Sequence, residues 1–233
     1  MKKLFFIIAT MLIVLNINAQ NDLASEDMPK DVTKFLGIPI DGSKAEMRQK
    51  LIAKGYTLKK DRDGDEWLEG EFNGKDVRIF IVTNNNKVWR IAVVDKYYTS
   101  ESQIKTRYNN LYYQFKNNNR YNISEAEPIP DEEDISYEMS IHKKRYEASF
   151  TQITDEKTIN RMSEERLRKQ YSEEQIKDSI NEVKLDKAWF PLQYKLEMYI
   201  NKSVWFIITE HYGQYGITLF YDNGYNKANG EDL

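Results

Sequence analysis

At three places along this chain of 233 residues a serine followed, three positions on, by Glu or Gln reads as a helix start: Ser43 to Glu46, Ser100 to Gln103 and Ser172 to Gln175. Each pair matches a capping box, in which the serine side chain accepts from the third helical N–H and the Glu or Gln reaches back to the serine N–H. Two orphan donors are satisfied at once, so each pair marks a helix start. Apolar stripes follow. Ala45, Leu51 and Ile52 share one side of the first segment and Gly55 closes it, which predicts a helix over 44–54. Ile104, Tyr108, Leu111, Tyr112 and Phe115 form a fuller stripe in the second, ended by Asn117-Asn118-Asn119. Behind the third pair only Ile176, Ile180 and Val183 line up. A stripe that thin belongs to a helix packed on a surface, not one filling a core.

Between the helices the period changes to two. Residues 56–60 and 67–72 read as short strands, and Asn73-Gly74 supplies the two positive φ angles of a type I′ hairpin turn. Val77, Ile79 and Ile81 then alternate with Arg78, Phe80 and Val82 over 76–83. After the Asn84-Asn85-Asn86 turn, Trp89, Ile91 and Val93 line one face of a further strand. The order recurs behind the second helix. Ile135, Tyr137, Met139 and Ile141 alternate with polar residues, as do Tyr146, Ala148 and Phe150, which predicts a hairpin across the basic turn His142-Lys143-Lys144-Arg145. Residues 192–200, 204–209 and 217–221 complete the strands. The expected fold is α+β: two similar halves, each a helix against an antiparallel sheet, the second interrupted by a charged helical insertion at 155–187. The expected divisions are a signal peptide at 1–19, a flexible leader at 20–34, and a first helix–sheet unit with the start of the second at 35–124. An acidic linker at 125–134 and the second sheet unit at 135–233 follow.

The signal peptide rests on Lys2-Lys3, an apolar run at 4–15 too short to span a bilayer comfortably, and the small Ala19 before Gln20. Export to the periplasm or beyond the cell is expected, with no membrane span. Lys and Arg number 34 against 37 Asp and Glu, and no basic stripe is interleaved with aromatics, which argues against a nucleic-acid partner. The absence of cysteine removes disulfides and thiolate chemistry and leaves no residue to carry a lipid.

Phe35-Leu36-Gly37-Ile38-Pro39-Ile40-Asp41-Gly42-Ser43, running into the first helix and on to Lys54-Gly55-Tyr56, resembles the opening of uncharacterised secreted Bacteroidetes proteins. Asn229-Gly230-Glu231-Asp232-Leu233 resembles their tail. The chain is also similar to small periplasmic modules of the beta-lactamase-inhibitor-protein and outer-membrane-assembly-lipoprotein type, which put one or two helices against an antiparallel sheet, sometimes in tandem. The resemblance implies a fold and a binding habit; it carries over no catalytic residue.

Asp61-Arg62-Asp63-Gly64-Asp65-Glu66 has the charge for calcium. An EF-hand loop, however, needs Gly at position 6 and Glu at 12, where this stretch has Gly64 at position 4 and Phe72 at 12. A carboxylate-rich β-turn is the expected reading. His142 and His211 are the only histidines, neither with a second His or Cys at ligand spacing, so no metal or cofactor is expected. No G-x-S-x-G elbow and no phosphate-binding glycine spacing occurs, and no catalytic residue is assigned. Asp131-Glu132-Glu133-Asp134, the densest acidic cluster, reads as solvated linker. Trp89 and Tyr112 lie on apolar stripes and are expected in the core. Tyr212 and Tyr215, around Gly213 in a loop between strands, are the candidate binding residues. Loops on rigid sheets carry recognition, and tyrosine offers much contact area for little lost entropy. The expected function is non-enzymatic binding of a protein or surface glycan through an exposed sheet face or loop. The competing expectation is a carboxylate-based enzyme acting on a polysaccharide.

Overall fold

A computed structural model describes residues 30–228. The expected signal peptide with its Ala19 junction, most of the expected leader and the tail 229–233 lie outside the described residues. The chain divides into two compact units, one taking in Lys157–Pro191, the other Asp31–Glu156 and the chain from Leu192 onward.

The larger unit opens with a small hairpin, β1 (Lys34–Phe35) and β2 (Ile38–Pro39). Ser43 then starts α1 (Lys44–Ala53) with its capping box complete: Glu46 N donates to Ser43 Oγ at 3.3 Å, and Ser43 N donates to Glu46 Oε2 at 2.9 Å. Met47 and Leu51, one turn apart, are its buried residues; Ala45 and Ile52 are exposed. A meander follows: β3 (Thr57–Lys60), β4 (Glu66–Phe72), β5 (Lys75–Asn84) and β6 (Lys87–Asp95). Asn73 and Gly74 have φ of 53° and 71°, the type I′ turn their sequence demands. Helix α2 (Glu101–Lys116) is next, with Ile104, Tyr108, Leu111, Tyr112 and Phe115 all buried. Four more sheet strands come after it: β7 (Tyr121–Glu125), β8 (Glu147–Gln152), β9 (Ser203–His211) and β10 (Gln214–Asp222).

The fold is α+β. Strands β3 to β10 make one antiparallel sheet in the order β3-β4-β5-β6-β10-β9-β8-β7. Exchanging each strand of one half for its counterpart in the other maps this order onto itself. The β6–β10 pairing is therefore the centre of a pseudo-two-fold topology that matches α1 to α2. Both helices contribute to one cluster of buried side chains on the same sheet face, so the halves share a core. Tyr108 meets the Phe206 ring edge-on at 5.0 Å, and Phe115 stacks on Phe150 at 4.8 Å. A buried ion pair reinforces the join: Arg107 of α2 grips Asp95 at the end of β6, whose Oδ2 also accepts from Ile217 N of β10 at 3.0 Å.

Several local expectations are corrected. Ser100 is the N-cap of α2 but makes no side-chain cap bond, and the Gln103 side chain that would complete the box is engaged by Thr99 Oγ1. Ile135–Ile141 is a helix, α3, and not a strand. Asp134 caps it by accepting from Tyr137 N at 2.8 Å, and Ile135 and Met139, four apart, turn towards the core while Tyr137 and Ile141 stay exposed. The partner of β8 is therefore β7, which no alternation announced. The linker expected at 125–134 is docked within the larger unit: Asn109 of α2 exchanges two 2.8 Å bonds with Ile129, and Lys105 donates to the Asp131 and Glu133 carbonyls. At the other end, the leader residues Val32 and Thr33 are buried, and Asp31 is paired with Lys202.

The insertion expected at 155–187 contains α4 (Glu156–Gln170), α5 (Glu173–Asp178) and the start of α6 (Asn181–Asn201). The Ser172–Gln175 capping box is complete, yet Ser179 in the left-handed region (φ 51°) ends α5 and splits the Ile176–Ile180–Val183 stripe between two helices. Within the smaller unit, Tyr171 Oη donates to Asp186 Oδ2 at 2.8 Å and Arg166 lies over the Phe190 ring at 4.2 Å. The expected strand at 192–200 is the last part of α6. Its apparent alternation is two helical stripes overlaid: Tyr194 and Met198 buried, Leu192, Leu196 and Ile200 exposed, each spaced by four.

Candidate functional site

Helices α1, α2 and α3 cover one face of the sheet. Antiparallel sheets ordinarily present polar residues on an uncovered face. Here aromatic and aliphatic residues run through the middle of that face. Cross-strand pairing places Phe80, Ala92, Phe220, Trp205 and Ser149 in one row, and Val94, Thr218 and Ile207 in the middle of the next. Phe80 at the edge of this belt is 36% exposed.

One end of the belt is built around Arg90. Its guanidinium makes a bidentate pair with Asp222, at 2.6 and 2.7 Å, across the β6–β10 junction. The same guanidinium lies 4.3 Å from the Trp89 ring, 4.6 Å from Phe220 and 5.4 Å from Trp205. Trp205 stacks on Phe220 at 4.1 Å, and its indole N–H donates to Asp222 Oδ2 at 3.1 Å. Charge, hydrogen bonds and rings thus hold one another in place, so little side-chain freedom remains to be lost on docking. Trp89 belongs to this cluster and not to the core. A bulge between Val82 and Thr83 of β5 and the facing β6 residues leaves Trp89 unpaired, puts Val88 on the core side and sets the indole beside Arg90. The Trp89 expectation fails for that reason, whereas Tyr112 is buried as expected.

The other end carries Tyr212. Its turn with Gly213 is only two residues long, both with positive φ (51° and 73°), and the strands run straight into it. Tyr212 is 92% exposed. It meets His211 at 4.4 Å, and His211 in turn lies 5.8 Å from Tyr98, whose ring covers Gly216. Tyr215 does not join them. It is already part of β10, shares the core-facing parity of Ile217, Leu219 and Tyr221, and is 3% exposed. Trp205 and His211 are six residues apart on one strand, so the two aromatic groups are separated by roughly 20 Å.

Charges beside the belt are neutralised locally. Glu69 accepts from Lys96 Nζ at 2.8 Å and from the Trp67 indole at 3.1 Å, and these bonds hold its carboxyl at about 2. Away from this face, Asp61 accepts from the N–H groups of Asp63 and Asp65 at 3.0 and 2.9 Å, so the acidic stretch is a turn stabilised by its own carboxylate. Among the described residues no cluster of three His, Cys, Asp or Glu is arranged to hold a metal ion. No helix among them is long and apolar enough to cross a membrane.

Arg90, Phe220 and Asp222 were missed in the sequence. The available signal was the unbroken apolar run Val204-Trp205-Phe206-Ile207-Ile208, which makes both faces of an antiparallel strand apolar. No protein-family model, curated protein or solved structure matches the chain.

Proposed function

We propose that this is an exported, non-enzymatic binding protein that recognises another protein through the outer face of its sheet. The observation that carries the reading is the Trp89–Arg90–Trp205–Phe220 cluster. Trp, Tyr and Arg dominate the energetic centres of protein interfaces, and rings locked before binding lose little entropy on contact. The surrounding belt of Ala92, Val94, Ile207 and Phe80, rimmed by internally paired charges, has the apolar-centre, polar-rim anatomy of such interfaces. Export rests on the charged, apolar and small-residue pattern of the first nineteen residues. The tandem helix-plus-four-strand order supports the likeness to the beta-lactamase-inhibitor-protein type and its binding habit. The carboxylate of Asp31 is engaged by Lys202, Thr154 and Lys34, an arrangement suited to holding structure more than to moving a proton.

The test is affinity capture from the envelope of the exporting cell, comparing the parent with Trp205→Ala/Phe220→Ala and with Tyr212→Ala. A protein retained by the parent should be lost from the double variant, at a cost of about 2 kcal/mol or more if the cluster is the hot spot. Tyr212 is so exposed that its variant keeps the fold in any case. Equal capture by all three, or recovery of a polysaccharide in place of a protein, would overturn the reading.

A further inference from the structure

On the helix-bearing side of the sheet, opposite the aromatic face, a cleft of about 800 Å³ opens over Leu219 and Tyr221 of β10, between α2 and the β1–β2 hairpin. That volume lies in the range of small-molecule sites. Tyr56, Phe72, Phe115 and Tyr121 surround the floor, and Asp31, Lys34, Asp155 and Lys202 add charges of both signs to the lining. Most polar groups there are already engaged. Tyr56 Oη donates to the Glu71 carbonyl at 3.1 Å, and Tyr121 Oη accepts from Gln152 Nε2 at 3.3 Å. Gln152 is also pinned to the Lys34 backbone through both ends of its amide, at 2.8 and 3.0 Å.

Two groups are not. Tyr221 is 5% exposed, yet its hydroxyl has no hydrogen-bond partner among the described residues. Arg120 at the rim has no carboxylate within ion-pair distance, and its guanidinium reaches only Asn118 Oδ1 at 3.4 Å. Glu71, on the same wall, follows the strand parity of Glu69 and directs its side chain to the other face of the sheet. That hydroxyl is not sealed in the core: it lies at the cleft surface, open to an acceptor on a ligand. Burial also pushes the Tyr221 phenol up, so it remains a protonated donor at every physiological pH.

We propose that this cleft binds a small organic carboxylate with an apolar body, the body lying among the aromatic walls and the carboxylate taking the Tyr221 hydroxyl proton as a hydrogen bond while facing Arg120. A neutral ligand of the same shape would fill the walls and leave Arg120 unanswered. A polar anion would answer Arg120 and gain nothing from the rings.

The probe is 2-naphthoate, titrated calorimetrically into the full exported chain beside the neutral 2-naphthamide. Saturable one-to-one binding is expected, with the acid at least tenfold tighter than the amide. Tyr221→Phe should weaken the acid at least fivefold while its melting temperature stays equal to or above the parent's, because the change removes an unpartnered hydroxyl. Arg120→Gln should erase the preference for acid over amide. Trp205→Ala, on the opposite face, should leave the affinity unchanged. No saturable binding up to millimolar naphthoate, an affinity unaffected by both cleft variants, or one lost only with Trp205→Ala would each overturn the proposal.

Discussion

Asp31→Ala should be severely destabilising, and the loss should shrink as the pH is raised. Lys202 is 1% exposed, and its ammonium donates to Asp31 and, at 2.9 Å, to Thr154 Oγ1. Burial lowers the Lys202 pKa, partly offset by Asp31. Burial alone would raise the Asp31 carboxyl, but Lys202, Thr154 and Lys34 more than reverse it and leave it below its ordinary value. Removing the carboxylate leaves a buried ammonium with one hydroxyl partner and only the weaker pull of Asp155, and breaking a buried pair in this way costs about 3–5 kcal/mol. The protein has one escape, which is to fold with Lys202 neutral. At pH 7 that deprotonation costs about 4.6 kcal/mol for a lysine whose unfolded pKa is about 10.4, and at pH 9 only about 1.9. The depressed folded pKa means that the unfolded chain holds the extra proton, so the variant's stability rises with pH up to the unfolded value. The expected loss is about 4 kcal/mol at pH 7 and at most about 2 at pH 9, or roughly 8–16 °C and under about 8 °C in melting temperature for a chain of this size. Adding Lys202→Met to Asp31→Ala should recover most of the loss at pH 7. A single variant melting within 2 °C of the parent at pH 7, or a loss equal at the two pH values, would refute the buried-ammonium account.

Four further outcomes follow from the same structure. Arg107→Ala leaves the nearly buried Asp95 with only the Ile217 N–H, and should cost about 3–5 kcal/mol in chemical denaturation; a loss under 1 kcal/mol would remove this pair from the join between the halves. A Cβ at Gly74 meets no atom within 4 Å, so the cost of Gly74→Val, about 1–3 kcal/mol, should come chiefly from the positive φ, and Gly74→Asn should recover most of it. Tyr212→Asn should raise the melting temperature by relieving a bulky residue from left-handed backbone while weakening partner capture; a gain in both would show the ring to be irrelevant to recognition. Glu69, held at about 2 against an ordinary 4.5, contributes fully above pH 4.5 and loses its contribution as the pH falls towards 2. The melting-temperature gap between parent and Glu69→Gln should therefore close over that window, and a gap constant from pH 5 to 2.5 would contradict the assignment.

The elements that local chemistry alone determines were legible. The Ser43 box, the α2 stripe and the Asn73-Gly74 turn each involve residues within a few positions of one another, and each formed where its spacing placed it. The misread segments share a physical cause: a period of two is ambiguous wherever two helical stripes overlap. In 192–200 the stripes Tyr194–Met198 and Leu192–Leu196–Ile200 interleave into false alternation, and in Ile135–Ile141 a cap from Asp134 decides the outcome against it. β7 carried no alternation because it is an edge strand with most of its residues exposed; its pairing is set by β8 and not by its own pattern. The candidate site was less legible still, because it depends on which strands become neighbours. Arg90 and Asp222 are 132 residues apart and meet only since β6 and β10 pair across the pseudo-two-fold centre. The bulge that turns Trp89 outward is likewise a property of the β5–β6 pairing, invisible in β6 alone. The same dependence explains why Tyr212 and Tyr215 part company. Counting outward from a two-residue turn assigns opposite faces to positions one and four only once the turn length is known, and a longer loop would have left both rings at the surface.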